Sequence, residues 1–143
     1  IEEESHAVGI DAGEKDSITD ENRNRLTRLF QKKADEWNTV FLITGKEDMI
    51  VSKDECFFVQ NGSPDMANIT GTGCMLGMVC ASYLASASNA FNATLTSTVE
   101  FGIAGELAAK KTTAPGSFQV QLLDSFYQLT EAKRDSLAKI IVY

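Results

Sequence analysis

Thr70-Gly71-Thr72-Gly73-Cys74 runs straight into an apolar stretch whose Met75, Leu76, Val79, Tyr83 and Leu84 share one helical face. Glycines at 71, 73 and 77 let a backbone approach a ligand and adopt conformations that a Cβ forbids. At a helix start the first N–H groups have no intrahelical acceptor, and the helix dipole adds partial positive charge. Those are the requirements for stabilising negative charge on a phosphoryl group in transfer. A dinucleotide loop would directly follow a strand and be answered by an acidic residue about 20 positions on. In this chain the candidate strand ends near Val59, and Ser86 to Ser97 holds no Asp or Glu. A P-loop is excluded, because no Gly-Lys-Ser or Gly-Lys-Thr follows. On spacing alone, a loop that merely lets helices pack closely stays in contention.

Other reactive residue types are sparse. Cys56, Cys74 and Cys80 form no CxxC pair and are odd in number, which indicates neither a disulfide framework nor a zinc site. A reducing, cytoplasmic location fits this usage best. His6 stands alone and is not expected to be catalytic, and Glu2, Glu3 and Glu4 read as a solvated charge run. No metal ligand is assigned from the sequence.

The elements that must position the glycine loop come from a chain of 143 residues, 43% hydrophobic and 23% charged, a composition that suits one globular domain with a sizeable core. Its formal net charge of -7 argues against nucleic acid, which is held mainly by clustered Lys and Arg. Small anions stay possible, since backbone N–H groups can bind phosphate. The stretch Met75 to Ala87 is interrupted by Ser82 and Ser86 and falls short of the roughly 20 apolar residues of a membrane span, so no membrane association is expected. The start, Ile-Glu-Glu-Glu, has neither an initiator Met nor a secretory pattern, and we expect an N-terminal portion to be missing.

Ala7-Val8-Gly9-Ile10 reads as a short buried strand. A helix follows, capped by Thr19 or Asp20, with Leu26, Leu29, Phe30, Ala34 and Trp37 on its core face. The run from Thr39 to Thr44 predicts a strand covered on both faces in a parallel sheet, which completes a βαβ pattern. Met49 to Ser52 and Cys56 to Val59 predict two shorter strands forming an antiparallel edge. Helices are then predicted at roughly 73–87, 89–111, 117–129 and 130–139, with Pro115-Gly116 separating the second from the third. The fold class is α/β, a mostly parallel sheet flanked by helices, with helices dominating after residue 70. Strands first and helices afterwards is lopsided for a complete doubly wound domain, and a missing N-terminal half would restore the balance.

Ile69-Thr70-Gly71-Thr72-Gly73-Cys74-Met75-Leu76 resembles the signature of the hydroxyethylthiazole kinase family, which is ribokinase-like. Val8-Gly9-Ile10-Asp11-Ala12, Leu42-Ile43-Thr44-Gly45 with Asp48, Asn61-Gly62, Ala104-Gly105-Glu106 and Pro115-Gly116-Ser117-Phe118 occur in that family's order and approximate spacing. The resemblance covers nearly the whole chain but only the C-terminal half of a family member. It implies that residues 1–143 are the C-terminal part of a single ribokinase-like domain. The implied reaction transfers a phosphoryl group from ATP, with Mg2+, to the hydroxyl of 4-methyl-5-(2-hydroxyethyl)thiazole in thiamine salvage, in a homotrimer with sites at subunit boundaries.

Residue by residue, the resemblance implies that Thr44 and Gly45 contact ATP phosphates, that Gly71 lies at the thiazole, and that Thr72 and Gly73 complete an anion hole through backbone donors. Cys74 stands where most ribokinase-like kinases carry an Asp base. The family's N-terminal Met at the thiazole pocket, its basic ATP contact, its N-terminal Asp near the phosphates and its magnesium motif would lie upstream of Ile1, so the chain alone is expected to be inactive. Three other readings are a non-catalytic nucleotide-binding or assembly module, another ribokinase-like kinase such as a pyrimidine kinase, and a redox-sensing Cys74.

Overall fold

The computed structural model describes residues 18, 19 and 21–143. The predicted strand at Ala7 to Ile10, the cap candidate Asp20 and His6 lie outside the described residues. The elements run α1 (Arg23–Trp37), β1 (Phe41–Ile43), β2 (Asp48–Val51), β3 (Cys56–Val59), a 3-10 turn (Pro64–Asn68), α2 (Thr72–Leu84), α3 (Ala90–Ala109), α4 (Pro115–Tyr127), α5 (Glu131–Leu137) and β4 (Ile140–Val142).

The strands form one sheet in the order β1-β2-β3-β4, and every neighbouring pair is antiparallel. This corrects the expectation of a mostly parallel sheet for the described residues. Residues 44–47 and 52–55 are the only chain between β1, β2 and β3. Such short connections fold a strand back on its neighbour, whereas a parallel pair needs a crossover of about a dozen residues. The antiparallel edge predicted over residues 49–59 is present. β4 was not predicted, because a three-residue strand has no period of its own and is defined by pairing with β3, about 80 residues earlier.

Alternation along the strands separates two faces. Met49, Val51, Cys56 and Phe58 point to one side, where Leu26 and Phe30 of α1 cover them with Phe41 and Ile43. Ile50 and Val59 point to the other, against Phe91, Val99 and Ile103 of α3. α3 is buried along most of its length and starts at Asn89, whose Oδ1 accepts the Asn92 N–H at 3.0 Å. A further cluster joins Ile69 and Leu76 to Phe101, Ala104 and Ala108 of α3 and to Phe118 and Leu122 of α4.

Trp37 is not in the core: it is 64% exposed. It sits on the last turn of α1, level with β1, where its ring leans on Phe41 at 5.6 Å with Lys33 at 5.9 Å, and among the described residues no strand pairs with the outer side of β1.

Candidate anion-binding loop

After β3 the chain passes through Asn61 and Gly62 into the 3-10 turn, whose start is capped by Ser63 Oγ accepting the Asp65 N–H at 3.2 Å. Ile69 is extended, and Gly71 at φ 96° turns the chain into α2. That left-handed conformation is open to glycine at little cost and strains any residue with a Cβ. The first α-helical bond runs from Met75 N–H to Gly71 C=O at 2.9 Å. The N–H groups of Thr72, Gly73 and Cys74 therefore precede the intrahelical ladder, and no side-chain cap meets them.

A Cβ built on Gly71, Gly73 or Gly77 would meet no atom within 4 Å. The close-packing reading of this loop is thereby disfavoured, since these glycines leave open space beside the helix start. Glycines that do permit close packing lie in α3, where a Cβ on Gly102 would run into the Asn61 backbone and one on Gly105 into the Met66 side chain. Thr72 Oγ1 is turned inward and donates to the Met66 carbonyl at 3.1 Å. Thr72 consequently offers an anion its N–H and not its hydroxyl. Gly73 and Cys74 are exposed on the first turn.

Thr44 and Gly45 lie just beyond β1, exposed at the end of the sheet. Leu42, two residues earlier, packs against the same cluster that holds Ile69, Met75 and Leu76, so one core anchors both the Thr44 turn and the glycine loop. The turn is held by Asp48, whose Oδ1 accepts the Gly45 N–H at 3.0 Å. Burial pushes the Asp48 carboxyl up to about 6, partly opposed by the Gly45 N–H and reinforced by the charge of Glu47. Glu47 is buried and tied to α1 by Arg23, Nη2 to Oε2 at 2.7 Å and Nε to Oε1 at 2.9 Å, while Gln60 Nε2 donates to Oε2 at 2.8 Å.

Sequence reasoning assigned no role to Asp48, Met66 or Glu106. Asp48 carried a legible signal, an Asp three residues after a turn glycine. Met66 carried none, because its importance lies in what α3 brings to it. Among the described residues no group of three or more His, Cys, Asp or Glu side chains could hold a metal ion, and no helix is long and apolar enough to cross a membrane.

The described residues form a mixed α/β fold in which the glycine loop leads into an uncapped helix N-terminus. The chain belongs to the hydroxyethylthiazole kinase family, whose model matches residues 2–132. It is 42% identical over 135 residues to a hydroxyethylthiazole kinase of Clostridium tetani, an alignment covering 92% of this chain and 48% of that protein. A Clostridium kluyveri hydroxyethylthiazole kinase is 37% identical over 139 residues, covering 96% of this chain and 49% of the relative. Among solved structures, the hydroxyethylthiazole kinase protein from Pyrococcus horikoshii OT3 superposes with a TM-score of 0.77 at 31% identity, over 86% of this chain and 48% of that one. The chain thus spans about half the length of the relatives it matches.

Proposed function

We propose that this chain is the C-terminal part of a ribokinase-like domain that transfers a phosphoryl group from ATP to the hydroxyl of 4-methyl-5-(2-hydroxyethyl)thiazole. The observation that carries this reading is the bare first turn of α2, three N–H groups without a cap beside glycines that open onto free space. Family membership supplies the donor and the thiazole class.

In this reading the acceptor hydroxyl attacks the γ-phosphorus, its bond to the ADP oxygen breaks, and the charge that builds on the phosphoryl oxygens is met by the Thr72, Gly73 and Cys74 N–H groups. Thr44 and Gly45 hold the ATP phosphates, and Gly71 leaves room for the thiazole. The proton released from the hydroxyl passes to water, or to the Cys74 sulfur where that sulfur is a thiolate. Phosphoryl transfer depends chiefly on positioning and charge stabilisation, so the Cys74 thiol assists and is not indispensable. Magnesium would supply charge neutralisation of the phosphates, but the described residues hold no cluster suited to bind it and none is given that role. A homotrimer in the cytoplasm belongs to the same proposal.

The experiment is thiazole-dependent ADP release by the full-length polypeptide, with the 143-residue chain assayed beside it. Turnover in the first and none in the second is expected. ATP binding without turnover in the full-length polypeptide would favour a non-catalytic nucleotide module, and product from the 143-residue chain alone would overturn the proposed need for an upstream half.

A further inference from the structure

Two sequence pieces without an assigned role, Asn61-Gly62 and Ala104-Gly105-Glu106, meet where the chain leaves β3. Glu106 Oε1 accepts from Asn61 Nδ2 at 3.0 Å, from the Gly62 N–H at 3.1 Å and from Lys139 Nζ at 3.0 Å. Asn61 also donates Nδ2 to the Leu137 carbonyl at 3.0 Å, and its Oδ1 accepts the Lys139 N–H at 2.8 Å, so the start of the loop is fixed from several sides. One residue earlier on α3, Gly105 has no side chain because Met66 fills the space: a Cβ there would overlap the Met66 sulfur and lie 3.1 Å from its Cγ and 3.3 Å from its Cε. The Met66 N–H donates to the Ser63 carbonyl at 3.0 Å, and the Met66 carbonyl accepts the Thr72 hydroxyl at 3.1 Å. A continuous set of contacts therefore leads from α3 through Met66 to the first residue of α2.

We propose that Gly105 and Met66 are positioning residues for phosphoryl transfer: α3 sets where the Thr72, Gly73 and Cys74 N–H groups stand, through a Met66 side chain seated on Gly105 and a Met66 carbonyl that grips Thr72. The proposal rests on the phosphoryl-transfer reading of the loop. Donors of this kind act over hydrogen-bond distances, and a misplacement of about 1 Å can lower a rate about a hundredfold. Neither residue touches the reacting atoms.

The test uses the full-length protein, 15N-labelled at glycine. Gly105→Ala pushes Met66 aside and is expected to lower kcat about tenfold with KM for the thiazole within about twofold, the pattern of an interaction made in the transition state. The Gly71 and Gly73 amide resonances are expected to move and to respond less to added inorganic phosphate. Combining Gly105→Ala with Met66→Ala makes room for the new methyl group and is expected to recover most of both effects. Should Gly105→Ala fail to fold, Thr72→Val, which removes the bond to the Met66 carbonyl, is expected to lower kcat, and Thr72→Ser, which keeps that bond, to lower it less. Unmoved glycine resonances with parental kcat in Gly105→Ala, an additive rather than compensating double substitution, or parental kcat in Thr72→Val overturns the proposal. A protein without thiazole phosphorylation refutes the functional reading alone, since the glycine resonances and their phosphate response report the positioning without turnover.

Discussion

Asp48 holds the turn behind Thr44 with a carboxyl that burial has moved to about 6 from its ordinary 3.8. Because the folded state binds this proton more tightly than the unfolded chain, the contribution of Asp48 to stability is fully present below the unfolded value and is lost as pH rises through about 6. Asp48→Asn keeps an acceptor for the Gly45 N–H and removes the buried charge. The stability difference in its favour is expected to widen by on the order of 2 kcal/mol between about pH 4 and pH 7, measured by urea unfolding of variant and parent at both values. At the first turn of α2, Cys74→Ala in the full-length protein is expected to keep measurable turnover at saturating substrate, and Cys74→Asp to equal or exceed the parent. A dead Cys74→Ala enzyme would make the thiol an obligatory base. The direction of the Thr72 hydroxyl, by contrast, could not be read from its sequence neighbours, because its acceptor is the carbonyl of Met66.

Among the described residues α3 packs against β2 and β3 and against α2, α4 and α5. Its glycines are not equivalent. A Cβ on Gly102 would stand 2.6 Å from the Asn61 carbonyl oxygen and 2.8 Å from its carbon, both backbone atoms, whereas Gly105 faces a flexible thioether. Gly102→Ala is therefore expected to destabilise by about 1–3 kcal/mol and by more than Gly105→Ala, read from thermal or denaturant unfolding. Asn89→Ala removes the cap of the same helix and is expected to lower stability by about 1 kcal/mol, against little change for Asn89→Ser. The helices were legible to within a few residues because apolar spacing and punctuation by Pro115-Gly116 are local signals. Their ends were not, and the predicted helix over 130–139 stops at Leu137 because the following residues pair with β3. Even the apolar spacing of α1 misled at one position: Leu29, expected on its core face, is 37% exposed.

Across the whole molecule, α1 is joined to the sheet by the Arg23 and Glu47 pair, whose side chains are 13% and 10% exposed. A buried carboxylate deprived of its cation is costly, so Arg23→Ala is expected to destabilise by about 3 kcal/mol in denaturant unfolding, with part of the loss recovered by adding Glu47→Gln. The sequence by itself determined the features that depend on one short stretch of backbone. Glycines at 71, 73 and 77 ahead of an apolar run specify a helix whose first N–H groups stand open, because a missing Cβ and an unmade intrahelical bond are local facts. Tertiary structure alone decided the antiparallel pairing of β1 with β2 and of β4 with β3, the exposure of Trp37 beside β1, and the seating of Met66 between Gly105 and Thr72. Each of these joins or separates residues that are distant in sequence or on different elements, and neither periodicity nor motif encodes which surfaces the folded chain brings face to face.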